Sequence, residues 1–203
     1  MDVPHDASGL NLENSFLIAT PAMQDPRFRN AVIYMCAHDA GGAMGIVVNK
    51  PKRGPLGGPL SLSDLLEDVG VEGEPKVADI PVLDGGPVDI NRGFVIHTGE
   101  YQTPEGTMPI SDTLMLTSTR DVLDALVTER APARAVMAIG YAGWGEGQIE
   151  DEIAANAWIV CAPDDPAVHD RLVFGEGLSD KWSEALGVVG IDPAHLSAFG
   201  GSA

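Results

Sequence analysis

Apolar positions along this chain come in short runs broken by glycine, proline and acidic residues, the rhythm of strands joined by turns rather than of long helices. Ser15-Phe16-Leu17-Ile18-Ala19-Thr20 reads as a buried strand stopped by Pro21. Asp25 ahead of Pro26 carries the N-cap and first-turn signals of a single helical turn. Residues 31–38 and 43–49 form two β-rich runs joined by Asp39-Ala40-Gly41-Gly42, a hairpin pattern. A loop rich in glycine and proline follows over 52–59. Ser61 then opens a helix with Asp64 at the capping-box position, the stripe Leu62, Leu65, Leu66 and Val69, and Gly70 as its stop.

Further strands are expected at 80–83, 92–98 and 114–116, with a turn at Asp84-Gly85-Gly86-Pro87 and a loop over 99–106. A helix over 120–129 turns Leu123, Leu126 and Val127 inward. The buried run 133–139 is a strand, and the glycine-rich stretch Gly140 to Gly147 reads as a turn that opens a helix from about Gln148 to Asn156. Trp158 to Cys161 is the last clear strand, and an amphipathic helix closes the pattern at about Ser179 to Leu186. The tail from Leu196 to Ala203 is expected to fray. This order lacks regular β-α-β alternation, so the class is α+β with a mixed sheet rather than a doubly wound fold. No repeat or linker divides the chain, which predicts one domain over 1–203 with its core at about 15–188.

Charge changes the picture most. Thirty Asp and Glu against twelve Lys and Arg give a net charge of -18. The one compact basic group is Lys50, Lys52 and Arg53; the remaining basic residues, Lys181 among them, are scattered between acids. Duplex binding requires several phosphates to be neutralised, so direct nucleic-acid binding is disfavoured, as is an anionic membrane surface. No apolar run approaches a membrane span, and Met1 to Asp6 lacks a secretory n-region. A cytoplasmic protein is therefore expected, with Cys36 and Cys161 as reduced thiols inside apolar strands.

Three constellations could carry chemistry. Strand alternation places Tyr34, Cys36 and His38 on one face, where thiol and imidazole could ligate a metal or act as nucleophile and base. A core thiol beside a strand-end histidine is the preferred reading, because no further close ligand pair exists. Arg92 and His97 bracket another strand on opposite faces. The guanidinium could orient a carboxylate, although pairing with Asp84 or Asp89 is preferred. Gly143-Trp144-Gly145 precedes a helix start, as a phosphate cradle would, yet Glu146, Glu150, Asp151 and Glu152 crowd that start and would repel a phosphate. A structural turn packed on Trp144 is preferred there; if a ligand binds, Trp144 offers it a flat wall and one N–H donor. His5, His169 and His195 read as surface residues. No metal or cofactor motif is present, and no cofactor is expected.

Several segments match a known family in order. They are Phe16 to Met23, Tyr34 to His38, Gly42 to Pro51, Gly85 to Val88, Arg92 to His97 and Gly140 to Glu150. Across about Phe16 to Leu186 the chain resembles the bacterial AlgH/YqgE family. The resemblance implies an α+β fold in which a bifurcated mixed sheet curls into a small barrel flanked by helices. It brings the label of a transcriptional regulator but no catalytic residues. Two functions are weighed on these grounds. One is a regulatory or interaction protein that binds a protein or small-molecule partner without turnover. The other is a ligand-binding protein or enzyme whose pocket unites Cys36, His38, Arg92, His97, Gly143, Trp144 and Gly145. Oligomerisation is left open.

Overall fold

The structure, a computed structural model, describes residues 10–103 and 105–197. Among them the chain runs β1 (Phe16–Ala19), a 3-10 turn (Pro26–Phe28), β2 (Val32–Asp39), β3 (Gly42–Val47), α1 (Leu62–Asp68), β4 (Leu83–Asp84) and β5 (Val88–Thr98). It continues with β6 (Thr107–Pro109), β7 (Leu114–Thr117), α2 (Arg120–Leu126), β8 (Ala135–Gly145), α3 (Gln148–Ala154) and β9 (Trp158–Cys161). Helices α4 (Pro166–Phe174), α5 (Lys181–Val188) and α6 (Pro193–Ser197) complete the order. His5, the rest of Met1 to Asp6 and the end of the expected frayed tail, 198–203, lie outside the described residues; Leu196 belongs to α6 and packs on the core.

The strands make one sheet ordered β6-β7-β5-β8-β3-β2-β1-β9, antiparallel except that β4 lies parallel to β8. The sheet forks on β8. Its first half pairs with β5 from Ala135 to Ile139, and its second half pairs with β3 from Ala142 to Gly145. This is the mixed, bifurcated α+β architecture expected above.

The glycine-rich stretch differs from its expected form. Gly140 to Gly145 continues β8, and the turn is confined to Glu146 and Gly147. β4 and β5 both pair with Ala138 and Ile139, so they flank β8 on opposite sides. The connection Gly85-Gly86-Pro87 therefore crosses over β8. Gly86 has φ 149° and Gly140 φ 76°. A Cβ on Gly140 would strike the Gly86 carbonyl, and one on Gly86 the Tyr141 backbone. Glycine is required here for backbone to pass backbone. The expected strand at 80–83 shrinks to Leu83–Asp84, because Val82 bonds instead to Leu60 and Lys52 in the preceding loop.

Helices cover the sheet in three places. α4 and α5 bring Leu172, Val173, Ala185 and Leu186 onto Phe16, Tyr34, Cys36 and Ile96. α1 and α2 bring Leu62, Leu66, Val122 and Leu126 onto Val95 and Met137. α3 brings Ile149 onto Leu17, Ile33, Trp144 and Trp158. β1 alternates between the first and third of these clusters, so both its faces are buried and its sequence is an unbroken apolar run. Burying each of Phe16, Leu17 and Ile18 contributes about 2 kcal/mol.

Two polar residues sit inside, and one of them, His169, was expected at the surface. Lys181, only 2% exposed, donates from Nζ to the carbonyls of Val48 (3.0 Å) and Val173 (3.1 Å). His169 is half-buried on α4, with its ring 5.1 Å from Phe16 and 5.4 Å from Tyr34. Polar flanking sequence hid both, because the helix that buries His169 and the pocket that holds Lys181 are tertiary features.

Candidate functional site

A bulge decides the fate of the first constellation. The β2–β3 register runs Met35↔Gly45 and then Ala37↔Met44, leaving Cys36 as the extra residue. The side chains beyond it change face. Tyr34 and Cys36 point into the first core cluster, whereas Ala43, the residue opposite His38, packs on the third. Cys36 and His38 are thus on opposite faces, contrary to simple alternation. Burial pushes the Cys36 thiol far above its ordinary range, so no thiolate is available as nucleophile or ligand.

His38 is held at both nitrogens. Its Nδ1 accepts the Leu12 N–H at 3.3 Å, which leaves Nε2 to donate to Glu150 Oε1 at 2.9 Å. Glu150 is held below the usual carboxylate range by its own backbone N–H at the start of α3 and by the His38 contact. The pair ties β2 to α3, and among the described residues no serine, threonine or cysteine side chain bonds to the ring.

Arg92 and His97 do lie on opposite faces. His97 is fully buried; its Nδ1 bonds to the Thr98 carbonyl and its Nε2 to Thr117 Oγ1. Burial lowers its pKa, partly offset by the Thr98 bond. Exposed Arg92 donates to Ser118 Oγ at 2.7 Å and lies 5.5 Å over the Phe94 ring. It meets neither Asp84 nor Asp89 in an ion pair. Asp84 sits in β4, across β8, and is paired with Lys52 at 3.4 Å.

The third constellation is where a cleft forms. β5 stops pairing with β8 at Val88↔Tyr141, so among the described residues no strand covers the flank of β8 beyond that point. A cleft of about 580 Å³ occupies the space, lined by Gly143, Trp144, Val88, Phe28, Gln148 and Glu152 among others. A shallower groove along Gly42, Ala43 and Met44 shares Val88, Gly143 and Trp144 with it. Cys36, Arg92 and His97 do not line the cleft, so the structure does not gather the three constellations into one pocket.

Glu152 is the polar centre of the cleft. Its Oε2 accepts the indole N–H of Trp144 (2.9 Å) and of Trp158 (2.7 Å), and its Oε1 accepts Gln148 Nε2 (2.9 Å). The two indoles meet edge to face at 6.1 Å. The Trp144 donor expected for a ligand is therefore already used. Opposite, Arg27 is bound bidentately to Asp25, from Nε to Oδ1 at 3.0 Å and from Nη2 to Oδ2 at 2.6 Å. Among the described residues no basic side chain forms an ion pair with Glu152, so its charge is balanced only by neutral donors. Sequence reasoning passed over Glu152 as one acid in a crowd. Its signal was the i, i+4 spacing from Gln148, which puts both on one face of α3.

A family model described as AlgH-like matches residues 16–194, which include every cleft residue. The chain belongs to the AlgH-like family. A UPF0301 protein of Caulobacter vibrioides is 42% identical over 199 residues, covering 98% of this chain and 97% of that one. A UPF0301 protein of Rhodospirillum rubrum is 44% identical over 187 residues, 92% of each chain. The solution structure of the AlgH protein from Pseudomonas aeruginosa superposes with a TM-score of 0.70 at 34% identity, covering 100% of both chains. A crystal structure of a Corynebacterium diphtheriae protein shares the fold at 16% identity, with a TM-score of 0.62 over 95% of this chain and 93% of that one.

Proposed function

We propose that this AlgH-like chain is a non-catalytic binding protein of the cytoplasm, acting in regulation through a partner held in the Trp144–Glu152 cleft rather than through DNA. The observation that carries this reading is the Glu152 carboxylate. It is fixed by three neutral donors, stands in a concave site with aromatic walls, and keeps acceptor capacity on Oε1. A pre-organised, uncompensated carboxylate favours a neutral or cationic group and rejects an anion. Against turnover, the thiols are buried, and His97 and His38 are each bound at both ring nitrogens. The charge of -18 argues against phosphate backbones as the target. Among the described residues no helix is long and apolar enough to cross a membrane.

Benzamidine and benzoate, one planar cation and one planar anion of the same size, test the reading by proton–nitrogen NMR. Benzamidine should move the indole N–H signals of Trp144 and Trp158 in a saturable way, and benzoate should not. Glu152→Gln should remove the benzamidine response. Equal responses to both probes, or none at the indoles, would discard the cleft as the recognition site.

A further inference from the structure

The cleft offers backbone as well as side chains. The Gly145 N–H donates to Gln148 Oε1 at 3.1 Å, so it faces the cleft and not β3. Along a strand the N–H and C=O groups of residues two apart point the same way. Gly143 therefore also turns its N–H and C=O away from β3. On that side β5 has already ended at Val88 opposite Tyr141, and the chain before Val88 crosses to the other flank of β8. Gly143 is exposed and lines the cleft. The result is a short open sheet edge, about 10 Å long over Ala142 to Gly145, set inside a concave site rather than on the rim of the sheet.

Resting on the binding role proposed above, we infer that the cleft takes an extended peptide segment of a partner protein, which pairs with the Gly143 backbone and presents a lysine or arginine to Glu152. Strand addition to an exposed edge draws affinity from main-chain hydrogen bonds and selectivity from pockets for alternate side chains. Both parts are present. Gly143 supplies one donor and one acceptor with no side chain in the way. Phe28 and Met23 wall the cleft with half-buried apolar surface, where an apolar side chain of the segment would rest. Glu152 supplies the charge for a basic side chain, while Arg27 is neutralised by Asp25 and does not oppose it. The overall negative charge of the chain speeds the approach of a basic segment.

The test uses the full chain and a pool of end-blocked hexapeptides with valine, threonine or leucine at alternating positions and lysine fixed at the fourth. A second pool carries N-methyl groups on alternate amides and cannot form the ladder. The first pool should shift the Gly143 amide signal and slow its hydrogen exchange at least tenfold, and the methylated pool should do neither. Gly143→Pro removes the donor; it should melt close to the parent, since no ladder bond to β3 is lost, and should no longer respond to the peptides. Should Gly143→Pro not fold, because its ring meets Tyr141 or constrains Ala142, the comparison of the two pools on the parent chain decides alone. Equal effects from both pools, or unchanged exchange at Gly143, would overturn strand pairing. If benzamidine still shifts the indoles in those cases, the binding cleft stands and only its peptide occupant falls; if benzamidine fails as well, both fall.

Discussion

Replacing Lys181 by methionine should change how stability depends on pH, in a direction and amount the structure fixes. The ammonium is inside the core, where loss of water is the main cause that brings its pKa from 10.5 down to about 7; Glu184 opposes this weakly. The unfolded chain holds its proton up to about 10.5. Below pH 7 both states are charged and folding bears the full cost of burying the charge, about 5 kcal/mol at 1.36 kcal/mol per pH unit. Between the two values only the unfolded state is protonated, so raising the pH relieves that cost. Stability should therefore climb by about 2 kcal/mol between about pH 7 and 9 on account of this residue. Methionine removes the climb, and it leaves the Val48 and Val173 carbonyls without their donor, at about 1–3 kcal/mol for each unsatisfied group. Lys181→Met should thus be least harmful at the acid end of the window and most harmful at the alkaline end.

Urea unfolding of parent and variant across that window measures it, and the difference between the two curves isolates Lys181. Lys50 is lowered in the same sense, but it contributes to both proteins and cancels. The thiols act oppositely. Burial raises Cys161 to about 11 and Cys36 further, so stability falls once the unfolded thiols ionise near their ordinary 9.0. Burial lowers His97 and His169, whose contribution is lost only as pH drops through 6.5 and below. Neither set mimics a rise between pH 7 and 9. Parallel curves for parent and variant would refute a depressed, buried ammonium.

Other outcomes are expected. Thiol titration in denaturant without reductant should count two reduced cysteines, and elemental analysis should find no stoichiometric zinc; among the described residues no three His, Cys, Asp or Glu are grouped to hold a metal, and one zinc per chain would contradict this. Arg92→Ala should lose about 0.5–1 kcal/mol, one exposed hydrogen bond and one ring contact, and lower Tm by about 1–4 °C. A far larger drop would mean that the guanidinium carries a structural charge pair. A gel shift with duplex DNA at physiological salt should show no salt-sensitive, sub-micromolar complex, given the charge of -18.

What the sequence makes legible is local. Asp25-Pro26 and Ser61 form the caps their residue types require, with the Asp25 carboxylate accepting from Arg27 N and Ser61 Oγ from Asp64 N. Asp165-Pro166 carries the same signal and opens α4, with Asp165 accepting from Ala167 N, yet the polar sequence around it masked the helix. The site was half visible. Of Gly143, Trp144 and Gly145, which the sequence marks for backbone approach and an aromatic wall, the first two line the cleft and Gly145 lines only the adjoining groove. The bulge at Cys36 has no mark in the sequence, so the face of His38 could not be told from alternation. The tie between Glu152 and two indoles joins α3 to β8 and β9, a contact between elements that no local pattern encodes.

The glycines of β8 also explain why a cleft exists at this place. A strand that pairs on both flanks along its length offers no open backbone, and an ordinary antiparallel β5 would have covered Gly143. Crossing β8 at Gly140 takes the incoming chain to the far flank one turn too early for that, and it does so only because Gly86 and Gly140 let two backbones touch. The same crossing thus forks the sheet and exposes its edge. The residue types then divide by need. Gly140 is held by sterics, whereas a Cβ on Gly145 would meet nothing within 4 Å. Gly143 lies between these cases, with its would-be Cβ 3.0 Å from the Tyr141 ring, a side chain able to yield. Folding alone therefore explains glycine at 140 but gives little reason for it at 145 and only a weak one at 143. The peptide pairing proposed above would supply the missing reason at Gly143, the one of the two that lines the cleft.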